Sequence, residues 1–254
     1  MKYLFSVSGG SGSTFMIKNV RRCGSIVAAR PDVIWRPNFM KHMGGLSKYK
    51  SNIQTLSSNG YEDFPESKTK EQFHERINKG KEIDFKLDLS SSIENNLIKY
   101  IKLLSKDEGR TAVFSNASKF QFFSKNNIKD VVFLIRHPLH SYISFTSKNR
   151  HPEFVESIGG QNSIKSIEAY SEMWNKYAED IISSLDKKLN PIVIRFEFAE
   201  KDVVKSNNIN IVEIFKKFNN NKRYYGALSG DVENKLRELT WNFYKEIFGN
   251  RWTI

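Results

Sequence analysis

Tyr3-Leu-Phe-Ser-Val-Ser-Gly-Gly-Ser-Gly-Ser-Thr-Phe15 opens the chain and governs how the rest is read. A short apolar run at residues 3–7 leads straight into Gly9-Gly10-Ser11-Gly12, and Ser13-Thr14 begin an amphipathic stretch. That order predicts strand, bare loop, helix. The first N–H groups of a helix have no partner within it, and the helix dipole favours negative charge there, so such a loop is a natural cradle for phosphate. It is not a Walker A motif, because no Gly-Lys-Ser/Thr follows. It is not a dinucleotide fingerprint either, because Phe15 stands where the third glycine would be. Taken alone, the loop suits a tight strand-to-helix turn as well as a phosphate site.

Three further runs read as buried parallel strands: Thr111–Ser115, Val131–Ile135 and residues 192–196, the last following Pro191. Helical periodicity lies between and after them. Residues 93–105 put Ile93, Leu97, Ile101 and Leu104 on one face. Residues 163–185 do the same with Ile167, Tyr170, Trp174, Tyr177, Ile181 and Leu185, and the C-terminal stretch with Val232, Leu236, Leu239, Phe243 and Ile247. Strands alternating with helices imply an α/β fold: a single domain over residues 1–254, built as a three-layer sandwich with a central, mostly parallel sheet flanked by helices. Residues 44–70 and 149–163, polar and rich in glycine and serine, read as loops or lids.

The 254 residues carry a net charge of +12, unevenly spread. Residues 1–50 hold nine Lys/Arg and one Asp, and residues 101–150 hold nine Lys/Arg and three acids. The excess therefore sits in the two segments with the sharpest motifs, which favours a local anionic ligand over a general nucleic-acid surface. No run of 18 apolar residues suggests a membrane span, and the N-terminus is too short and polar for a signal peptide. The single cysteine, Cys23, reads as a packing residue, permits no internal disulfide and fits the cytoplasm. No His/Cys/carboxylate group has metal-ligand spacing, so no metal is expected.

The second motif is Val131-Val-Phe-Leu-Ile-Arg136-His-Pro-Leu-His-Ser-Tyr-Ile-Ser144, again strand, turn and helix. Arg136 ends the strand at the edge where α/β proteins take ligands. Pro138 suits a first helical position. Ser144, eight residues after Arg136, lies about two turns along. With both motifs in place, the chain resembles the sulfotransferases that use 3′-phosphoadenosine 5′-phosphosulfate. Gly10-Ser11-Gly12-Ser13-Thr14-Phe15 is similar to their loop for the 5′-phosphosulfate, with Gly10 replacing its Lys or Arg. Arg136, Pro138 and Ser144 are similar to their motif for the 3′-phosphate, with His137 in place of the usual acid or amide. Arg195-Phe196-Glu197-Phe198 and the helix around Trp174 extend the likeness.

The resemblance implies the P-loop NTPase-like sulfotransferase fold and sulfuryl transfer from that nucleotide to a hydroxyl acceptor, a carbohydrate or other small hydroxylated metabolite. It implies a donor site made of Gly10, Ser11, Gly12, Ser13, Thr14, Phe15, Arg136 and Ser144, closed by Arg223. The cation absent at Gly10 would come from Lys18 or Lys119. Asp32 is the candidate general base, with His42 and His74 as alternatives, while His137 and His140 suit helix capping or nucleotide contact. Two other functions fit the same residues: a P-loop-like nucleotide kinase or phosphotransferase, and a non-catalytic binder of phosphorylated or sulfated ligands.

Overall fold

A computed structural model describes residues 2–7, 12, 16, 26–29, 88, 90–104, 111–115, 124–126, 128, 131–146, 164–186, 191–205 and 228–252. The strands are β1 (Lys2–Val7), β2 (Ile26–Ala29), β3 (Thr111–Ser115), β4 (Val131–Ile135) and β5 (Ile192–Arg195). The helices are α1 (Ile93–Leu104), α2 (Pro138–Thr146), α3 (Ile164–Asp186), α4 (Ala199–Lys205) and α5 (Gly230–Phe248), with a 3-10 turn at Phe196–Phe198. Backbone pairing sets β3 between β1 and β2. β1 pairs in parallel with β3, Tyr3 opposite Ala112 and Phe5 opposite Phe114. β2 pairs in parallel with the other edge of β3, Ile26 opposite Thr111. The four strands read from the sequence are all present, and β2 is an addition to them.

The chain separates into two compact units. The first comprises residues 1–7 and 13–132 and contains β1, β2, β3 and α1. α1 starts on a serine cap: Ser92 Oγ accepts the Asn95 N–H at 3.1 Å. Asn96 locks the approach to the helix, donating to the Asp88 carbonyl at 2.8 Å and accepting the Asp88 N–H at 2.9 Å. Its buried face is Asn96, Leu97, Ile98 and Tyr100. A satisfied polar side chain and a tyrosine thus occupy positions that apolar periodicity passes over.

The second unit comprises residues 8–12 and 133–254. β4 is buried along its whole length. Trp174 of α3 donates to the Arg136 carbonyl at 3.1 Å and the Tyr177 hydroxyl to the Leu134 carbonyl at 3.3 Å, so α3 is tied to the end of that strand. Ile167, Tyr170, Trp174, Tyr177 and Ile181 of α3 are buried as the sequence predicts, whereas Leu185 at the helix end is exposed. α5 packs along α3 and against α2. Its buried stripe is Val232, Leu236, Thr240 and Tyr244, one residue round from the predicted Leu239, Phe243 and Ile247. The stripe can carry a threonine because Thr240 Oγ1 donates to the Leu236 carbonyl at 2.8 Å. Among the described residues no helix is long and apolar enough to cross a membrane.

The expected three-layer sandwich of the sulfotransferase kind is corrected by this arrangement. Helices hold most of the regular structure among the described residues, and the chain resolves into two compact units. Among the helices, what the described residues show packed together is chiefly α3 on α5, with α2 against both. A sheet covered by a helical layer on each face is not among it.

Arg195 joins three pieces of the second unit. Its N–H and Nε donate to Asp202 Oδ2, each at 2.9 Å, and Nη2 donates to Oδ1 at 2.5 Å. Nη1 reaches the Ile247 carbonyl at 3.3 Å, near the end of α5. Such a two-pronged, charge-assisted pair is strong and directional. Asp202→Asn is expected to cost about 2 kcal/mol, read as a lower urea midpoint, because the fork is broken over a buried carboxyl site.

Candidate functional site

The carboxyl ends of β4 and β5 meet in the second unit, and the site is assembled there from the residues that follow each strand. After β4 the chain turns into α2 through Arg136 and His137. His137 is the helix cap: its Nδ1 accepts the Leu139 N–H at 3.2 Å, and its carbonyl accepts the Ser141 N–H at 2.9 Å. Pro138 takes the first helical position, where its missing N–H does no harm. The capping role read for His137 from the sequence is therefore found.

After β5 the chain supplies Phe196 and Glu197. Glu197 Oε2 accepts the His137 N–H at 3.0 Å, and Oε1 is paired with His140 Nδ1 at 3.0 Å. Arg136 Nε lies 3.5 Å from the same Oε1. Only 15% of the Glu197 side chain and 7% of the Arg136 side chain are exposed. Burial pushes the Glu197 pKa up, but the His140 bond, the His137 amide and the Arg136 charge outweigh it and hold the carboxyl below its usual value. The Arg136 guanidinium also sits over the Phe196 ring, 4.8 Å from its centroid.

Gly12, from the opening loop, packs against that same ring. Its φ is +86°, and a Cβ placed there would fall on Cε2 and Cδ2 of Phe196. Glycine is thus required twice at this position, by backbone conformation and by space. Gly12 and Arg136, two residues that the sequence assigns to one site, are brought together through Phe196. Ser144, the third, is buried on α2. Gly10, Ser11, Ser13, Thr14, Phe15, Asp32 and Arg223 lie outside the described residues, as do Lys18, Cys23, His42, His74 and Lys119.

The His137 ring is enclosed by Tyr244, Phe248 and Trp252, with centroids at 5.0, 6.1 and 4.6 Å and near edge-to-face angles. Because Nδ1 accepts a bond, the neutral ring carries its proton on Nε2, which is buried with no hydrogen-bond partner. Burial lowers the His137 pKa to about 4, the charges of His140 and Arg136 adding to that effect and Glu197 opposing it.

Compared with protein-family models, curated proteins and solved structures, the chain matches none of them.

This geometry corrects the likeness to the sulfotransferases and the use of 3′-phosphoadenosine 5′-phosphosulfate. The 3′-phosphate was assigned to an Arg136 fork open at the end of β4. Arg136 is instead buried beside Glu197, so the charge meant for the nucleotide is balanced within the fold. An incoming phosphate would face that ionised carboxylate. Sulfuryl transfer and the non-catalytic binding of phosphorylated or sulfated ligands both lose their main cationic anchor. The kinase or phosphotransferase alternative loses the same anchor, and among the described residues no group of three or more His, Cys, Asp or Glu is placed to hold a metal ion. The sequence reading missed Glu197 as the centre of the cluster and His140 as its partner. An acid between two phenylalanines directly after a strand, Phe196-Glu197-Phe198, was the available signal.

Two measurements check the cluster. Gly12→Ala should destabilise the protein by at least about 2 kcal/mol, since both the left-handed backbone and the ring contact oppose it. Adding Phe196→Ala should recover only the steric share of that loss, as a double-mutant cycle would reveal. The buried His137 gives a pH dependence with a definite sign. Its folded pKa of about 4 lies below the ordinary 6.5, so its contribution to stability is full above 6.5 and is lost as pH falls towards 4. Over that window the contribution is about 3 kcal/mol, at roughly 1.36 kcal/mol per unit. His137→Asn keeps a capping side chain without a titrating ring, and its stability should fall less steeply between pH 6.5 and 4 in denaturation series.

Proposed function

We propose that the protein is an acid–base catalyst acting on a small polar substrate, with His140 as the group that transfers the proton and Glu197 as the carboxylate that orients it. One observation carries the proposal: the 3.0 Å contact between His140 Nδ1 and Glu197 Oε1. Imidazole changes charge near neutral pH, so it serves as acid or base there without extreme tuning. A carboxylate fixed to one ring nitrogen sets the ring's orientation and stabilises the imidazolium formed when the other nitrogen takes a proton. Glu197 suits that task because it is held ionised and is itself fixed by the His137 amide and Arg136. The His140 side chain remains 21% exposed, so a substrate can approach it.

The setting agrees with this chemistry. The pair stands where the ends of β4 and β5 give way to the turns that follow them. Ser144, one turn beyond His140, lies on the same face of α2. The single cysteine supports a cytoplasmic setting. Asp32, Phe15 and Arg223 are given no part in the proton transfer.

An activated ester tests the proposal without knowledge of the natural substrate. The wild-type protein should hydrolyse p-nitrophenyl acetate above the buffer rate. His140→Gln, which retains a donor for Glu197, should lower that rate at least tenfold while the protein stays folded. Glu197→Gln should lower it by a smaller factor, because the ring keeps a partner of the wrong charge. Equal rates in wild type and His140→Gln would leave the cluster as a structural tie and overturn the proposal.

A further inference from the structure

The chain beyond α5 folds back along that helix and brings Trp252 against His137. Gly249, with φ +93°, ends the helix, and its N–H donates to the Lys245 carbonyl at 2.9 Å. The Tyr244 hydroxyl then takes hold of the returning chain by donating to the Arg251 carbonyl at 2.9 Å. Trp252 follows, and its Nε1 donates to Glu233 Oε1 at 3.3 Å, in the first turn of the same helix. The Trp252 ring is thereby laid across α5, 4.6 Å from the Tyr244 centroid and 4.6 Å from that of His137.

His137 links this strap to the acid–base pair. Its ring is held by Trp252, Tyr244 and Phe248, and its Nδ1 caps α2 at Leu139. Its own N–H fixes Glu197 Oε2, while His140, one turn later, holds Oε1. A shift of the His137 ring would therefore move the cap, the first turn of α2 and both partners of the carboxylate together. We propose that Trp252 is a positioning residue, which holds His137 in its capping orientation and through it fixes His140 on Glu197. The inference rests on the acid–base reading for its catalytic consequence, but not for the structural link between Trp252 and His140.

The distinguishing experiment reads the imidazole rings directly. In ¹H–¹⁵N spectra of the full chain, Trp252→Ala should move the ring signals of both His137 and His140, and Trp252→Phe should restore them because it keeps an aromatic face. Trp252→Leu, which keeps bulk without that face, should behave as the alanine variant does and serves if Trp252→Ala does not fold. Turnover of p-nitrophenyl acetate should fall at least threefold in the alanine or leucine variant and return in the phenylalanine variant. Unchanged His140 signals in a folded alanine or leucine variant would overturn the inference, whether or not His137 moves. If the wild-type protein shows no turnover, the acid–base reading fails by itself, while the ring signals still decide the positioning role.

Discussion

The second unit is organised around one carboxylate. Glu197 follows β5, yet its partners come from the turn after β4 and from α2: the Arg136 guanidinium and the His137 amide in the turn, and the His140 ring on the helix. Removing a charge from water is expensive, and a buried ion is tolerated when opposing charge and hydrogen bonds surround it. Those requirements constrain the neighbourhood. Arg136 must leave the strand at the end beside β5, α2 must begin there with its amide turned towards Glu197, and Phe196 must lie beneath the guanidinium. Gly12 then has to be glycine, since the Phe196 ring fills the space a side chain would need.

The same carboxylate explains why the arginine motif does not act as a phosphate site. Arginine at a strand end, followed by a capped helix, has the chemistry of an anion site. A cation's availability depends on what else the fold brings to it. Here the fold brings a glutamate from sixty residues away in the chain, and the anion that Arg136 could have taken from solution is supplied internally. The arrangement that closes the site to phosphate creates a carboxylate–imidazole pair in its place.

A second constraint comes from α3 and α5. Trp174 and Tyr177 are bound through their polar tips to carbonyls at the end of β4, so α3 is positioned by hydrogen bonds as well as by apolar contact. α5 presents Tyr244 to the same region, stacked on Phe248 with centroids 5.0 Å apart. Arg195, forked onto Asp202, reaches the last turn of α5 and ties it to the end of β5. The aromatic enclosure around His137 is the outcome of these attachments.

Four of the strands and the approximate span of each main helix were legible in the sequence, because short apolar, β-branched runs and 3.6-residue periodicity are patterns that need no knowledge of partners. The start of α2 at Pro138 was legible from proline's fixed φ and missing N–H, and the cap was one of the two roles that the sequence allowed His137. The buried stripe of α5 was not. Thr240 and Tyr244 are polar, and only their bonds to Leu236 and Arg251 make them suitable for the interior. The site followed the same division. Local sequence determined that Gly12, Arg136 and Ser144 would stand at a loop, a strand end and a helix. The tertiary structure alone decided which charges meet, setting Glu197 against Arg136 and His140, because the electrostatic fate of a side chain depends on its distance in space from groups that sequence spacing does not reveal.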